Sequence, residues 1–354
     1  MPQELSAQFE SAVSNVTVNG KKLENVIAAH TEVRELLEND NLLRGWGVDS
    51  ILIGSYARHT SRYPGKDVDV FLRFTELSTA DDPRSIYDGV ERVLEAKYGL
   101  REEGGRVTRQ ARSLNISFPQ ASDQADLEFS VDAVPAVPFG QNWGIPNRDP
   151  DVWSEDPSVR WVETNPIEFA TRTNKLSTSP KSPTVGDRNA YCPVVRLLRQ
   201  IRHVHLGDLK PGGLYIEIAA YYAWNADKVA GSSWAALLSA SLNEVAAAFA
   251  EAASGGLVDP VLGTPLKPAL DRSQWTHAAG VFQALADKSQ TALQSDPCKA
   301  AKLWREILGT NERGQVLPLP PGCDAAGFAI GGVAGVSSLG STEARGFALP
   351  SHRD

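Results

Sequence analysis

The segment GSYARHTSRYPGKDVDV, residues 54–70, constrains this chain more than any other stretch of its sequence. Its end opens a run, DVDVFLRF, in which apolar and other residues alternate as they do in a strand with one buried face. Asp67 and Asp69 therefore point to the same side of that strand. Carboxylates inside a domain are costly unless a cation meets them. The strand thus predicts a cation site on the face that carries both aspartates.

A third carboxylate lies on a later predicted strand, ADLEFSVDAV, where Asp132 occupies the polar face. Mg²⁺ is a hard ion that proteins bind through a few carboxylates together with substrate phosphates. Asp67, Asp69 and Asp132 are therefore predicted as catalytic residues and as the ligands of two metal ions. The neighbouring Glu128 is interpreted as a surface group.

The turn at Gly54 and Ser55 ends one predicted strand and begins a short helical turn. Backbone N–H groups and a hydroxyl in such a turn can hold a triphosphate. A D-x-D pair alone is more typical of a solvated strand end. The ordered combination of Gly-Ser, D-x-D and a later strand aspartate is more specific, and it indicates nucleotidyl transfer.

Charge and cysteine content exclude several classes of protein. The chain has 354 residues and a net charge of −8, which disfavours broad binding to nucleic acids or membrane surfaces. It has no apolar run long enough to span a membrane, and its first residues do not resemble a signal peptide. Three scattered cysteines predict no zinc site. We therefore expect a reduced, cytoplasmic protein.

The pattern of periodicity divides the chain into an α+β half and a helical half. We expect a catalytic lobe with a mixed sheet and an N-terminal helix at residues 1–165, and a helical lobe at 166–310. Residues 138–165 lack a period and are interpreted as an ordered loop. Residues 311–354 are rich in glycine and alanine and are expected to form a loosely ordered tail.

These motifs closely resemble those of the cyclic GMP-AMP synthase/DncV-like nucleotidyltransferases (CD-NTases) of bacterial anti-phage systems. The family pattern runs GSY-x-R-x-T, then D-x-D, then an aspartate in a V-D-x-V-P setting. The resemblance extends over about residues 20–310 and includes YCPVVRLLRQIRHV and LKPGGLYIEIAAYYAW. The matching positions are Gly54, Ser55, Arg58, Thr60, Asp67, Asp69, Asp132 and Pro135.

The resemblance implies a polymerase-β-like nucleotidyltransferase lobe and a helical C-terminal lobe. It implies synthesis of a cyclic di- or trinucleotide second messenger from nucleoside triphosphates, with two Mg²⁺ ions, or Mn²⁺ in their place. On this reading Ser55 contacts the donor triphosphate, and the product activates an effector during phage infection (CBASS defence). Accessory or regulatory proteins of the defence operon are the expected partners, without a stable nucleic acid or a membrane.

Two departures from the family pattern concern phosphate contacts. Arg199 stands where the family often has lysine, and it can meet a phosphate with its planar fork or be an ordinary solvated helix charge. Gly213-Leu214 stands where a hydroxyl is common, so that phosphate contact is either lost or replaced by a backbone N–H or Lys210. Arg58 either braces the Gly-Ser turn or meets phosphate. Together with that turn, these three cations complete the predicted nucleotide-binding set.

Two rival functions stay open at this stage. A nucleotidyltransferase of the same fold could modify an RNA, a protein or a small-molecule acceptor. A nucleotide-binding regulator without activity is a second alternative, which the intact set of three aspartates disfavours.

Overall fold

A mixed sheet and a helical bundle are seen in the computed structural model, which describes residues 5–65, 67–119 and 128–330. The helices are α1 Ser6–Asn15, α2 Gly20–Glu38, α3 Asn41–Gly45, α4 Gly54–Ala57, α5 Pro83–Tyr98, α6 Pro157–Arg160, α7 Pro166–Ser177, α8 Tyr191–Leu206, α9 Gly213–Asn225, α10 Trp234–Gly255, α11 Arg272–Gln294 and α12 Pro297–Leu308. The strands are β1 Val48–Ile53, β2 Asp67–Phe74, β3 Val107–Arg109, β4 Leu114–Phe118, β5 Phe129–Phe139, β6 Asn142–Pro146, β7 Trp161–Thr164, β8 Thr184–Val185, β9 Arg188–Asn189, β10 Thr310–Asn311 and β11 Gly314–Gln315. The predicted order of an α+β half before a helical half is confirmed.

The main sheet has seven strands in the described residues, in the order β1-β2-β5-β4-β3, with β6 paired to the end of β5 and β7 paired to β6. Strands β2 and β5 are parallel, whereas the other neighbouring pairs are antiparallel. The parallel pair requires a long crossover, which α5, β3 and β4 provide. The sheet is therefore mixed, and its two central strands carry the three aspartates.

The alternation in β2 sorts its side chains between two cores. Its apolar residues Val68, Val70, Leu72 and Phe74 pack with α2 and α5 in one core. The opposite face carries Phe71, which packs with Ile53, Val134 and Ala136 in a smaller cluster. The two aspartates of β2 share that second face, as the alternation predicts. They consequently point away from the larger core and toward the helical lobe.

The helical lobe has its own core, built on α8 to α12 around fully buried tryptophans that include Trp224, Trp234 and Trp304. Local signals set the ends of these helices, since Asp271 forms a capping box at the start of α11. Helix α1, which we placed with the catalytic lobe, packs here instead, and Phe9 meets the ring of Trp304 edge-on at 5.1 Å. Among the described residues, no helix is both long and apolar enough to cross a membrane.

The interpretation of residues 138–165 as a loop without regular structure is wrong. This segment contains β6 and β7, which pair antiparallel from Trp143 to Thr164. It also buries Trp153 and Trp161 against the core of the sheet lobe. Each strand is only four or five residues long, so its period is too short to stand out in the sequence.

The expectation of three reduced cysteines is also wrong for two of them, because Cys298 and Cys323 form a disulfide. Cys192 is free and buried. The disulfide holds part of the segment that we expected to be a loosely ordered tail. Residues 310–315 form a short hairpin, and Val316 and Leu317 are buried in the helical core. The rest of the expected tail, residues 331–354, lies outside the described residues.

A pair of truncations separates these two parts of the C-terminal segment. Deleting the residues after Leu339 should leave the midpoint of thermal unfolding and product formation nearly unchanged, since both lobes lie upstream. Ending the chain at Leu308 removes two fully buried side chains and should lower the free energy of unfolding by roughly 3 kcal/mol or more. Chemical denaturation measures both effects. Equal stability of the two truncated chains would contradict the assignment of Val316 and Leu317 to the core.

Candidate active site

The turn after β1 places backbone amides beside the aspartates of β2. Gly54 has φ +68°, in the left-handed region that favours glycine, and it begins the four-residue helix α4. A Cβ at this position would overlap the carboxylate oxygen Oδ2 of Asp69. Glycine is therefore required both by the turn and by the close approach of a carboxylate, since Ile53 is paired with Asp69 across the sheet.

The parallel register of β2 and β5 brings the three aspartates together. Asp69 is aligned with Asp132, and Asp67 with Ser130. Neighbouring strands lie about 4.8 Å apart, so the aligned carboxylates project side by side from the sheet. The hydroxyl of Ser130 donates to Asp67 Oδ1 at 2.8 Å, and the Asn115 amide donates to Asp132 Oδ1 at 2.8 Å. Each outer carboxylate is thus oriented by a neighbouring strand.

Burial and mutual repulsion make this group of carboxylates difficult to ionise. Burial raises the pKa of Asp132 to about 6, and the charges of Asp69 and Asp67 add to this shift, although the hydrogen bond from Asn115 opposes it. The pKa of Asp69 is raised mainly by burial, against the opposing charge of Arg58. The site therefore favours any bound cation that can offset the negative charge.

The three aspartates do not form a closed metal cage as they stand. Within residues 5–65, 67–119 and 128–330, no three His, Cys, Asp or Glu side chains are grouped as a metal site. Asp67 and Asp132 instead accept the hydrogen bonds from Ser130 and Asn115. Carboxylates that repel one another adopt such separate partners readily, and a shared cation would draw them together. All three side chains nevertheless reach one cavity.

That cavity has a volume of about 510 Å³ and lies between the two lobes. The sheet lobe contributes Gly54, Ser55 and the aspartates, and the helical lobe contributes side chains of α7, α8 and α9. Most of its helical wall is apolar near Phe169 and Leu214, with Asn165 and Asp259 at other positions. A polar floor with carboxylates and a partly apolar wall suits a ligand that has both phosphates and a planar base.

Glu217 of α9 joins the loop that follows the Gly-Ser turn to the helical lobe. Glu217 is only 2% exposed, and its carboxylate accepts from Arg58 Nε at 2.9 Å, from Thr60 Oγ1 at 2.5 Å and from Arg199 Nη1 at 3.0 Å. Burial by itself would raise the pKa of Glu217, but the Arg58 and Arg199 guanidiniums outweigh burial and hold this pKa below its usual value. The carboxylate therefore stays ionised in the folded protein.

The structure distributes the predicted nucleotide-binding residues unevenly. Gly54, Ser55, Arg58 and Arg199 all line the cavity. Arg58 is 4% exposed and covers the Phe169 ring at 4.9 Å, and Arg199 also donates to the Thr60 carbonyl at 3.1 Å. Both cations thus brace the loop after the turn. Lys210 is exposed on the segment after α8 and does not line the cavity.

Glu217 was not singled out in the sequence as part of the site, and Thr60 was named only as a match to the family motif. A usable signal existed, because Glu217 is the one charged residue in the otherwise apolar or neutral helix GLYIEIAAYYAWN. A carboxylate on the buried face of such a helix requires a cationic partner. One cationic partner, Arg199, lies 18 residues away, but the other, Arg58, lies 159 residues away, so that pairing requires the fold.

Comparison with known proteins agrees with this geometry. A family model for the Second Messenger Oligonucleotide or Dinucleotide Synthetase domain matches residues 4–176. A curated protein from an Acinetobacter strain, named cyclic AMP-AMP-AMP synthase, is 25% identical over 325 residues, which cover 85% of this chain and 83% of that protein. The match to the family model includes the Gly-Ser turn and all three aspartates.

Solved structures share the fold over both lobes. CdnG, a CD-NTase of Bradyrhizobium diazoefficiens solved in complex with GTP, superimposes with a TM-score of 0.65 at 15% identity, covering 86% of this chain and 95% of that one. CdnC of E. coli, solved in a complex with HORMA-deltaN, gives a TM-score of 0.62 at 15% identity, covering 86% and 96%. The predicted polymerase-β-like nucleotidyltransferase lobe with a helical lobe is confirmed.

The ion cluster around Glu217 supports a prediction about stability. Glu217→Gln should lower the free energy of unfolding at pH 7 by about 3–5 kcal/mol, because Arg58 would stay buried without its counter-charge. Because folding lowers the pKa of Glu217, its contribution is present at neutral pH and is lost as the pH falls below the ordinary value of 4.5. The variant and the native chain should therefore converge in urea titrations at low pH. The exposed Glu251→Gln is the matched control, and equal loss in both variants would contradict the cluster's role.

Removing the charge of Asp132, unlike removing that of Glu217, is expected to raise the free energy of unfolding. Because its pKa is raised from 3.8 to about 6, the folded state binds its proton more tightly, and stability falls as the pH rises through this range. Asp132→Asn keeps the acceptor for Asn115 and should stabilise the metal-free protein by about 1–3 kcal/mol at pH 7.5. The gain should vanish near pH 3.5. The exposed Asp88→Asn is the matched control, and a pH-independent effect of Asp132→Asn would contradict the burial of its charge.

Proposed function

We propose that this chain, which belongs to the cyclic GMP-AMP synthase/DncV-like nucleotidyltransferases of bacteria, joins nucleoside triphosphates into a cyclic di- or trinucleotide second messenger. One observation carries the proposal. The parallel register of β2 and β5 sets Asp69 beside Asp132, and the Gly54-Ser55 turn opens onto the same cavity. Carboxylates and phosphate-binding amides are thereby brought to one place between two lobes.

Asp67, Asp69 and Asp132 are the residues that would hold two Mg²⁺ ions, or Mn²⁺ in their place. Their fit to a cation rests on the donor set, which consists of hard oxygens, and on the raised pKa values of Asp69 and Asp132. When bound, such ions lower the pKa of an attacking hydroxyl and neutralise the charge of the pyrophosphate that leaves. Binding the ions would also release the protons that these carboxyl groups hold at mildly acidic pH.

The chain's own groups would bind and orient the substrates. The amides and the hydroxyl of the Gly54-Ser55 turn are placed to hold a triphosphate next to the aspartates. Arg199 carries a guanidinium that is 20% exposed and lines the cavity, so it can meet a phosphate while it stays paired with Glu217. Asn115 keeps Asp132 oriented through its hydrogen bond. Closure of the cavity by both lobes would keep water from the activated phosphate.

The comparisons also inform the proposed substrates and partners. CdnG was solved with GTP, and CdnC was solved with HORMA-deltaN. By analogy, we assign nucleoside triphosphates as substrates of this chain and an accessory protein of a defence operon as its regulator. The product would activate an effector during phage infection. No stable nucleic acid is among the partners that we propose.

The test is incubation of the purified protein with each of the four labelled nucleoside triphosphates and Mg²⁺, alone and in pairs. We expect products that resist phosphatase and have the mass of a cyclic di- or trinucleotide. The double variant Asp67→Asn, Asp69→Asn should retain less than a few per cent of this activity, because it removes two metal ligands and keeps the fold. Its far-ultraviolet circular dichroism should match that of the native chain.

Other outcomes of the same assay would exclude the proposal. Label transferred to an added RNA, protein or small molecule, with no cyclic product, would assign the chain to the rival group of nucleotidyltransferases. Full activity in the double aspartate variant would contradict the two-metal assignment. Absence of turnover under all conditions, including those with the accessory protein, would favour a nucleotide-binding regulator.

A further inference from the structure

A hairpin near the C-terminal end of the described residues lies against the wall of the cavity. Strands β10 and β11 pair through Thr310 with Gln315. Gln200 of α8 links this hairpin to the cavity, because its amide donates to the Thr310 carbonyl at 2.9 Å and its carbonyl accepts from Arg62 at 3.2 Å. The hairpin is therefore in contact, through one side chain, with a residue that lines the site.

The β10–β11 hairpin braces the loop at residues 61–65, which lies between the Gly-Ser turn and β2. Ser61, Arg62, Pro64 and Gly65 line the cavity. On one side, the loop is held by the turn after α1, where Tyr63 N donates to the Val16 carbonyl at 2.8 Å. The position of this loop consequently sets one wall of the cavity close to Asp67.

Arg313, at the tip of the hairpin, fastens the loop on its other side. Its guanidinium carbon lies 3.6 Å from the centre of the buried Tyr63 ring. The same guanidinium donates to the Thr17 carbonyl at 3.0 Å and to Asn19 Oδ1 at 2.8 Å. One cation thus ties the ring of the loop to the segment that supports it, through a cation–π contact and charge-assisted hydrogen bonds.

We infer that Arg313 is a positioning residue that holds the loop at residues 61–65 as a wall of the nucleotide cavity. The inference rests on the proposed function, since it assigns the cavity to a nucleoside triphosphate. Arg313 does not itself line the cavity. Its effect must therefore pass through Tyr63 to the loop, and it should alter substrate binding more than the chemical step.

Steady-state kinetics with the preferred nucleoside triphosphate tests this role. Arg313→Ala should raise KM by about threefold to tenfold and leave kcat within about twofold, because the aspartates are untouched. Arg313→Lys keeps a cation over the ring and should restore KM to within about twofold of the native value. Arg272→Ala, an exposed arginine at the start of α11, is the matched control and should change neither constant. A lower kcat and a lower unfolding midpoint with an unchanged KM would show a merely structural role and overturn the inference.

Variants of the aromatic partner identify the route of the effect. Tyr63→Leu removes the ring face and should raise KM. If Arg313 acts through this ring, the double variant Tyr63→Leu, Arg313→Ala should be no worse than Tyr63→Leu alone. Full additivity of the two single effects would contradict a route through Tyr63.

A binding measurement separates this inference from the proposed function. Equilibrium dialysis with non-hydrolysable analogues of ATP and GTP in the presence of Mg²⁺ requires no turnover. If the native chain makes no cyclic product but Arg313→Ala weakens its binding of the analogues, the proposed function is contradicted and the inference is supported. If the native chain makes the cyclic product and the Arg313→Ala variant binds the analogues as tightly as the native chain does, the proposed function is supported and the inference is contradicted. Failure of the native chain to bind either analogue would overturn both.

Discussion

The buried carboxylate of Glu217 is the interaction on which the geometry of the cavity depends. The two lobes have separate apolar cores, and the loop that follows the Gly-Ser turn crosses between them. Glu217 accepts from two side chains of that loop and from Arg199 of its own lobe. A buried charge is tolerable only when several donors surround it, so the loop and the helical lobe stabilise each other's position. The turn and the helical wall therefore keep a defined separation.

The pairing of β2 with β5 imposes a second constraint, and it opposes stability. Aligning Asp69 with Asp132 sets two carboxylates next to each other at a buried position, and burial raises the pKa of each. The charge of Asp69 adds to the rise at Asp132. Hydrogen bonds from Ser130 and Asn115 orient the outer carboxylates. Hydrophobic packing of the opposite face of β2 holds the strand in this register. The apolar core on one face of β2 thus holds the carboxylates on the other face close together despite their repulsion, as is typical of functional sites.

Features determined by local rules could be predicted from the sequence, and features determined by distant contacts could not. The alternation of residues in the strand placed Asp67 and Asp69 on one face. The Gly54-Ser55 pair predicted a turn between a strand and a short helix. Local residues also mark the ends of α5, which has Pro83 in its first turn and Gly99 directly after its last residue. Segments β6 and β7 escaped detection because pairing, not period, makes them strands. The disulfide joins cysteines 25 residues apart, and Glu217 pairs with Arg58 159 residues away, so no local pattern in the sequence signals either pairing.

The helical core can be completed only late in synthesis, because it combines residues that are far apart in the chain. Helix α1 is translated long before α12 and Val316, yet both are among its partners in the helical core. The amide of Asn15 donates to the carbonyl of Val316, 301 residues away along the chain. During synthesis, α1 therefore cannot complete its packing until the residues as far as Val316 have been translated. A nascent chain that has not reached this point lacks the last contacts of the helical core, and it has no closed helical lobe to form the second wall of the cavity.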